Sequence, residues 1–282
     1  MSDAAEAALA AYRSGNISAE IALMRIVLAI GDAAAVASRL EATREPELMR
    51  VARAHRHGLN GIASLVAAGL AAERSGSIAA IREQFDAAVA LAPEAAVALY
   101  SLGSPKVLDR ATAEIVARLR EWRLVGADTD VLDIGCGIGR IERALAPDLR
   151  SITGIDLSPG MIAEAQVRCR GLGNVAFLCT EGCDLAAFAG RRFGLVLAVD
   201  AFPYLVAAGS GIAARHVADA ALLLDPGGAL AILNYSYRGD LDADRADIAG
   251  LAAAHGFVVE RNGTSDFALW DGATFLLRKI VR

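Results

Sequence analysis

The chain has 282 residues, of which 55% are hydrophobic, enough for one large hydrophobic core or two smaller ones. Its formal net charge of −5 leaves no broad basic surface to neutralise phosphates, so nucleic acid is not the expected partner. Its four cysteines include no C-x-x-C pair and have no histidine nearby, which argues against a metal site and favours buried thiols in a reducing cytoplasm.

Residues 1–98 predict a helical N-terminal domain, because they contain no convincing strand. Apolar residues recur at helical spacing in four segments, interrupted by glycine or proline: 17–30, 33–40, 47–72 and 77–90. Residues 85–93 are similar to part of a tetratricopeptide unit, but only one copy is present and stacked repeats need about three. We therefore expect a helical cap or substrate domain over residues 1–104 and a second domain over residues 105–282.

The N-terminal half also bears on location. It begins with acidic Asp3 and Glu6 instead of a basic leader, so no secretory signal is visible. Its longest apolar stretch, residues 62–72, has about half the length of a membrane span. We expect a cytoplasmic protein with no membrane partner, and the sequence leaves homo-oligomerisation open.

From Lys106 onward, helical and strand patterns alternate, which is typical of a parallel sheet covered on both faces. A helix over residues 108–122 precedes the first strand. Strands are predicted at residues 130–134, 151–156, 174–179, 193–199 and 228–234, with helices at 138–147, 159–170, 211–223 and 242–255. The last two strand patterns, 257–260 and 275–280, have no helix between them and predict an antiparallel hairpin.

The strand pattern of residues 131–134 runs directly into a turn spaced G-x-G-x-G at Gly135, Gly137 and Gly139. Glycine allows a tight turn and the close approach of a ligand to the main chain. Asp156 follows Gly139 by 17 residues, at the end of the next strand pattern, where an acid can bind a ribose diol. The combination predicts a nucleoside-cofactor site.

The spacing distinguishes between nucleosides. A dinucleotide fold requires a small residue where this chain has Arg140, which disfavours an NAD-dependent enzyme. Asp133, two residues before Gly135, would repel a diphosphate but suits the ammonium group of an amino acid. Both features point to S-adenosylmethionine.

At these residues the chain resembles the class I S-adenosylmethionine-dependent methyltransferases, whose acid followed by G-x-G-x-G is matched by Asp133 and the three glycines. The resemblance covers roughly residues 100–282. It implies an α/β, Rossmann-like sheet of seven strands with a reversed last strand, following the all-α N-terminal domain. It also implies that Cys136 in the turn and Leu157 after Asp156 lie among the cofactor contacts.

The same resemblance implies an adenine contact after the third strand. Asp184 is the candidate acceptor for the adenine amino group, and Leu185 or Cys183 would supply a backbone N–H. Many relatives place the acid where this chain has Cys183, so Asp184 could instead be a solvated loop carboxylate.

The ends of the fourth and fifth strands carry the candidates for catalysis. Asp200 could orient or deprotonate an acceptor and contact the cofactor, or it could cap the following loop. Tyr204, Tyr235 and Tyr237 could bind the acceptor, although aromatic residues at strand ends also serve packing.

These features predict an enzyme that transfers a methyl group by in-line displacement to a small-molecule acceptor, with alignment as its main contribution. The helical domain is expected to shape the acceptor pocket. The alternative is a regulatory or interaction protein that retains the cofactor fold and uses its helical domain to bind a partner.

Overall fold

The structure, a computed structural model, describes residues 3–71 and 76–281. These residues form two compact units. One comprises residues 3–71, 84–114 and 267–271, and the other comprises residues 76–83, 115–266 and 272–281. Residues 105–114, expected in the second domain, group with the first unit, and the boundary after residue 104 stays a prediction.

The first unit is helical, as the spacing of its apolar residues predicts. Its helices are α1 (Asp3–Arg13), α2 (Ala19–Ile30), α3 (Ala33–Thr43), α4 (Pro46–Ala54), α5 (Arg56–Ala67) and α7 (Pro93–Val97). Two further helices, α6 (Ile78–Leu91) and α8 (Pro105–Glu121), contribute residues to both units. Ser18 caps α2 by accepting a hydrogen bond from the Ile21 N–H, and Asp32 caps α3 through its carboxylate.

The segment predicted as one helical stretch over residues 47–72 is two helices, α4 and α5. His55 separates them with a non-helical φ of −114° and ψ of 21°. Because Val51 and Leu59, on either side of the break, are both buried in the same core, the apolar spacing continues across it. Periodicity alone therefore cannot reveal the break. Helix α1 is a further element that the sequence did not predict.

The second unit contains a seven-stranded sheet with the order β3-β2-β1-β4-β5-β7-β6. Its strands are β1 (Asp130–Ile134), β2 (Ser151–Asp156), β3 (Val175–Cys179), β4 (Phe193–Val199), β5 (Leu224–Leu233), β6 (Phe257–Ser265) and β7 (Ala273–Lys279). The first five pair in parallel, and β7 is antiparallel to both β5 and β6. The predicted fold class, including the reversed last strand, is confirmed.

Five helices follow the strands of this unit: α9 (Arg140–Leu145), α10 (Pro159–Arg168), α11 (Phe202–Ala208), α12 (Ser210–Leu223) and α13 (Leu241–His255). The short helix α11 was not predicted. The largest side chains with almost no exposure in the sheet core include Phe193, Phe202 and Phe275. Across residues 3–71 and 76–281, we find no helix with the length and apolarity needed to cross a bilayer.

Strand lengths differ from prediction where the pairing is irregular. Strand β5 begins at Leu224 instead of residue 228, and its register with β4 shifts between Phe193 and Leu195. Strand β6 extends to Ser265 instead of residue 260, with two register shifts along its pairing with β7. Such shifts interrupt the alternation from which strand ends are predicted.

Candidate functional site

The turn after β1 is fixed to the end of β2. The backbone N–H groups of Gly135 and Cys136 both donate to the carbonyl oxygen of Ile155, at 2.8 and 2.9 Å. Gly135, Gly137 and Gly139 have φ values of 73°, 54° and 75°, in the left-handed region that side chains rarely adopt. The three glycines are therefore required by the path of the backbone.

The first and third glycines are also required by packing. A Cβ atom on Gly135 would lie 2.5 Å from the Cβ atom of Ala201, the second residue after β4. A Cβ atom on Gly139 would lie 3.1 Å from atoms of Ala165, Cys169 and Phe177, so this glycine allows α10 and β3 to pack against the start of α9. The turn thus adjoins the end of β4 on one side and α10 on the other.

Asp156 joins the glycine turn to the start of α10. Its Oδ2 atom accepts a hydrogen bond from the Gly137 N–H at 3.0 Å, and its Oδ1 atom accepts one from the Ser158 N–H at 2.9 Å. Ser158, and not Asp156, caps α10 by accepting from the Met161 N–H. The half-buried Asp156 carboxylate lies directly against the turn, as the predicted nucleoside site requires. An ionised carboxylate has about four acceptor positions, so both bonds are compatible with binding ligand hydroxyls.

Asp133 lies beneath the turn and is 1% exposed. Its Oδ1 atom has no hydrogen-bond partner. Burial raises its pKa to about 7, against the opposing effects of a hydrogen bond with Glu142 and the charge of Arg140. Cys136, in the turn, is also buried, and burial raises the pKa of its thiol. A buried carboxyl with an unpartnered oxygen beside a glycine turn fits a site for a ligand cation.

Glu142, which the sequence analysis did not single out, is fully buried next to Asp133. Burial, followed by the charge of Asp133, raises its pKa well above the ordinary range. The residue lies in the first turn of α9, where an acid is commonplace at a helix N-terminus. Only the three-dimensional structure shows that its side chain faces the sheet.

The three residues predicted to contact adenine lie in different surroundings. The Leu185 N–H donates to the Asp219 carboxylate at 2.9 Å, whereas Cys183 is exposed. Cys183 is therefore favoured over Leu185 as the N–H donor to adenine. The Asp184 carboxylate accepts from the Ala186 N–H at 3.0 Å and lies 3.7 Å from the Arg215 guanidinium. These contacts are those of a loop carboxylate, the alternative that the sequence left open.

The start of α6 contributes residues that the sequence could not assign to this site. A Cβ atom on Gly182 would lie 3.5 Å from both Ile78 and the half-buried Leu157. The Arg82 guanidinium lies 3.9 Å from the Glu181 carboxylate and 3.7 Å from the Cys179 Sγ atom. These contacts bring residues about a hundred positions apart in sequence together at the ends of β2 and β3.

Asp200 lies at the end of β4 and is hydrogen-bonded from the end of β5. Its Oδ1 atom accepts from the Asn234 side-chain amide and from the Tyr237 hydroxyl, each at 3.1 Å. The rings of Tyr204 and Tyr237 meet edge to face with centroids 5.8 Å apart. Since the neighbouring Ala201 packs on Gly135, this polar cluster adjoins the glycine turn.

Tyr235 lies in the core instead of at this cluster. It is 5% exposed, and its ring lies between Phe202 and Phe275, with centroid distances of 6.1 and 6.0 Å. Burial raises its pKa to about 12. These surroundings favour the packing role over acceptor binding for Tyr235, whereas Tyr204 and Tyr237 remain next to Asp200.

Comparison with known proteins agrees with this geometry. Residues 131–228, which include the turn, Asp156 and Asp200, match a family model described as a methyltransferase domain. Residues 131–228 therefore resemble a methyltransferase domain, which is consistent with a class I S-adenosylmethionine-dependent methyltransferase. S-adenosylmethionine is the cofactor that this family uses.

The names of curated proteins similar to this chain refer to different methyl acceptors. A demethylmenaquinone methyltransferase of Tropheryma whipplei (strain Twist) is 35% identical over 113 residues, 40% of this chain and 44% of that protein. The tRNA (uracil-5-)-methyltransferase homolog A of Homo sapiens is 35% identical over 69 residues, 24% of this chain and 11% of that protein. The chain thus spans less than half the length of these relatives.

Solved structures share the fold. Magnesium protoporphyrin IX methyltransferase from Synechocystis PCC 6803, with bound S-adenosylmethionine, has a TM-score of 0.54 and 18% identity, covering 74% of this chain and 98% of that chain. Phosphoethanolamine N-methyltransferase 1 of Haemonchus contortus has a TM-score of 0.52 and 15% identity, covering 73% of this chain and 49% of that chain.

Proposed function

We propose that this methyltransferase transfers the methyl group of S-adenosylmethionine to a small-molecule acceptor. The observation that carries the proposal is the arrangement of Asp156, the glycine turn and Asp200 at the adjacent ends of β2, β1 and β4. In open parallel sheets, ligands bind beyond the carboxyl ends of the strands. The net charge of −5 favours a small molecule over nucleic acid.

Cofactor binding is assigned to the turn and its neighbours. Asp156 would bind the ribose hydroxyls, and Asp133 would accept from the ammonium group. Gly137 would face the cofactor closely, and Cys183 would donate its N–H to the adenine ring. Further contacts fall to the turn residues Gly135, Cys136 and Gly139 and to Leu157. When bound, S-adenosylmethionine supplies a methyl group already activated by a sulfonium.

Asp200 is assigned to the acceptor side. Its carboxylate, held by Asn234 and Tyr237, would accept a hydrogen bond from a protic acceptor and so orient it or remove its proton. Tyr204, whose ring meets that of Tyr237, would contribute an apolar wall. Alignment supplies most of the acceleration, since the methyl group needs no further activation.

The first test is cofactor choice. By titration calorimetry, S-adenosylhomocysteine should bind and raise the melting temperature, and NAD should not. Tighter binding of NAD than of S-adenosylhomocysteine would overturn the proposal.

The second test is acceptor class. Incubation of the protein with labelled S-adenosylmethionine and separate pools of metabolites and RNA should label a small molecule, and the Asp200→Asn variant should label it far more slowly. Labelling of RNA alone contradicts the acceptor class. Cofactor binding with no labelling in any pool supports a binding protein instead.

A further inference from the structure

Two carboxyl groups are buried together under the glycine turn. Asp133 is 1% exposed and Glu142 has no exposed surface. Asp133 Oδ1 and both carboxyl oxygens of Glu142 have no hydrogen-bond donor, and each of the two side chains acts on the pKa of the other. An ionised carboxylate accepts but cannot donate, so a proton on one of the two is what joins them.

The backbone of β2 makes room for this pair. Asp133 in β1 is paired in register with Gly154 in β2. A Cβ atom on Gly154 would overlap the Glu142 Oε1 atom and lie 2.8 Å from the Cβ atom of Cys136. Glu142 therefore occupies, over the sheet, the space that any other residue at position 154 would fill.

Arg140, at the start of α9, is the cation that acts on both carboxyls, and Asp156 at the end of β2 acts on Asp133 with the opposite sign. The nearby thiols are Cys136 in the turn and Cys169 after α10, and burial raises the pKa of each. Arg143 and Arg168 act on Cys169.

Two like charges in contact at low dielectric do not both ionise near neutral pH, so the pair keeps at least one proton. The pKa of Asp133 is raised to about 7 and that of Glu142 well above its ordinary range, both by burial first. The charge of Arg140 lowers the pKa of both carboxyls and so favours a negative charge on the pair. A second cation next to Asp133 would match a second negative charge.

We propose that Glu142 is a cofactor-positioning residue that holds Asp133 through a shared proton, and that this proton leaves when the cofactor's ammonium group binds beside Asp133. The carboxyl O–H bond breaks, a buffer base takes the proton, and an ammonium N–H donates to the freed carboxylate. Two carboxylates then face two cations, Arg140 and the ammonium group. This inference rests on the ammonium role proposed above for Asp133.

Titration calorimetry measures the proposed proton release directly. Binding of S-adenosylhomocysteine is measured near pH 7 in two buffers of different ionisation enthalpy, and again between about pH 6 and pH 8. We expect release of about half to one proton, and a Kd that falls by up to about tenfold per pH unit. As the matched ligand, 5′-methylthioadenosine lacks the amino-acid arm and should release almost none.

Substitutions distinguish the role of Glu142 from that of Asp133. Glu142→Gln keeps a hydrogen-bond donor to Asp133 but cannot share a proton with it, so proton release and the change of Kd with pH should both be smaller than in the wild type, with only the buried Asp133 left to titrate. Glu121→Gln, at an exposed ion pair with Arg118, is the control and should retain the wild-type pH profile. If Glu142→Gln does not fold, equal proton release by the two ligands on the wild-type protein still overturns the proposal.

Equal proton release with both ligands, or a pH-independent Kd in the wild-type protein, overturns the role of Glu142 and leaves the proposed function standing. A complete absence of S-adenosylhomocysteine binding overturns both.

Discussion

Asp200 and Asn234 end neighbouring strands in left-handed backbone conformations, with φ values of 57° and 77°, and a hydrogen bond of 3.1 Å joins their side chains. This conformation costs a non-glycine residue about 1–2 kcal/mol and persists where surrounding contacts fix it. The Asp200 N–H donates to Leu233 and the Asn234 N–H to Ala273, so the sheet supplies those contacts.

Replacement of Asp200 by asparagine should lower kcat for the identified acceptor by about a hundredfold or more, because the neutral amide cannot accept a proton. The Kd for S-adenosylhomocysteine should change far less. Asn234→Gly, which keeps the left-handed conformation but removes the amide, should give a smaller loss of kcat. Steady-state kinetics and calorimetry measure both, and an unchanged kcat in Asp200→Asn contradicts the acceptor role.

Replacement of Asp156 by alanine should weaken S-adenosylhomocysteine binding about ten- to a hundredfold, because two charge-assisted bonds to the ribose are lost. It also removes the acceptor of the Gly137 N–H, so the turn itself should loosen. Asp156→Asn keeps one acceptor oxygen and should lose less. Calorimetry gives the Kd, and an alanine variant that binds like the wild type excludes the ribose role.

The glycines of the turn should separate into two classes. Gly135→Ala should lower the melting temperature, because its Cβ atom would lie 2.5 Å from Ala201, and adding Ala201→Gly should partly restore it. Gly137→Val should also lower the melting temperature, because its φ of 54° disfavours a side chain, but it should in addition abolish cofactor binding while the circular dichroism spectrum at room temperature stays nearly native. Thermal melts and calorimetry distinguish the classes. No rescue by Ala201→Gly would contradict the packing assigned to Gly135.

As pH rises, the free energy of unfolding of the cofactor-free wild-type protein should decrease relative to that of the Glu142→Gln variant. Burial raises the pKa of Glu142 well above its ordinary value of 4.5, so between that value and neutral pH the folded chain binds more protons than the unfolded chain. Stability decreases with pH wherever the folded state binds more protons. Melting temperatures of both proteins from about pH 5 to pH 8 measure this, and a constant difference contradicts it.

Strands β1 and β2 were predictable because they are buried as short apolar runs, and each ends in a recognisable signal, Asp133 with Gly135 in β1 and Asp156 in β2. Local signals of this kind also led to the glycine turn. The break at His55 was not predictable, since the apolar spacing continues through it.

The remaining site residues depend on distant parts of the chain. In sequence, Glu142 is an ordinary acid in the first turn of a helix. Only its contact with Gly154, in strand β2, shows that its side chain is buried over the sheet. Tyr235 and Tyr237 are two positions apart in sequence, yet one lies in the core and the other bonds to Asp200. Sequence spacing does not contain this information.

The carbonyl oxygen of Ile155, which accepts from both Gly135 and Cys136, makes the turn part of the sheet's hydrogen-bonding network. The amide protons of Gly135 and Cys136 should therefore exchange with solvent only when β2 separates from β1, on the timescale on which the sheet itself opens. A substitution anywhere in β2 that weakens this pairing would lower cofactor affinity without contacting the cofactor. In this chain the pairing of β1 with β2 therefore affects both cofactor affinity and folding stability.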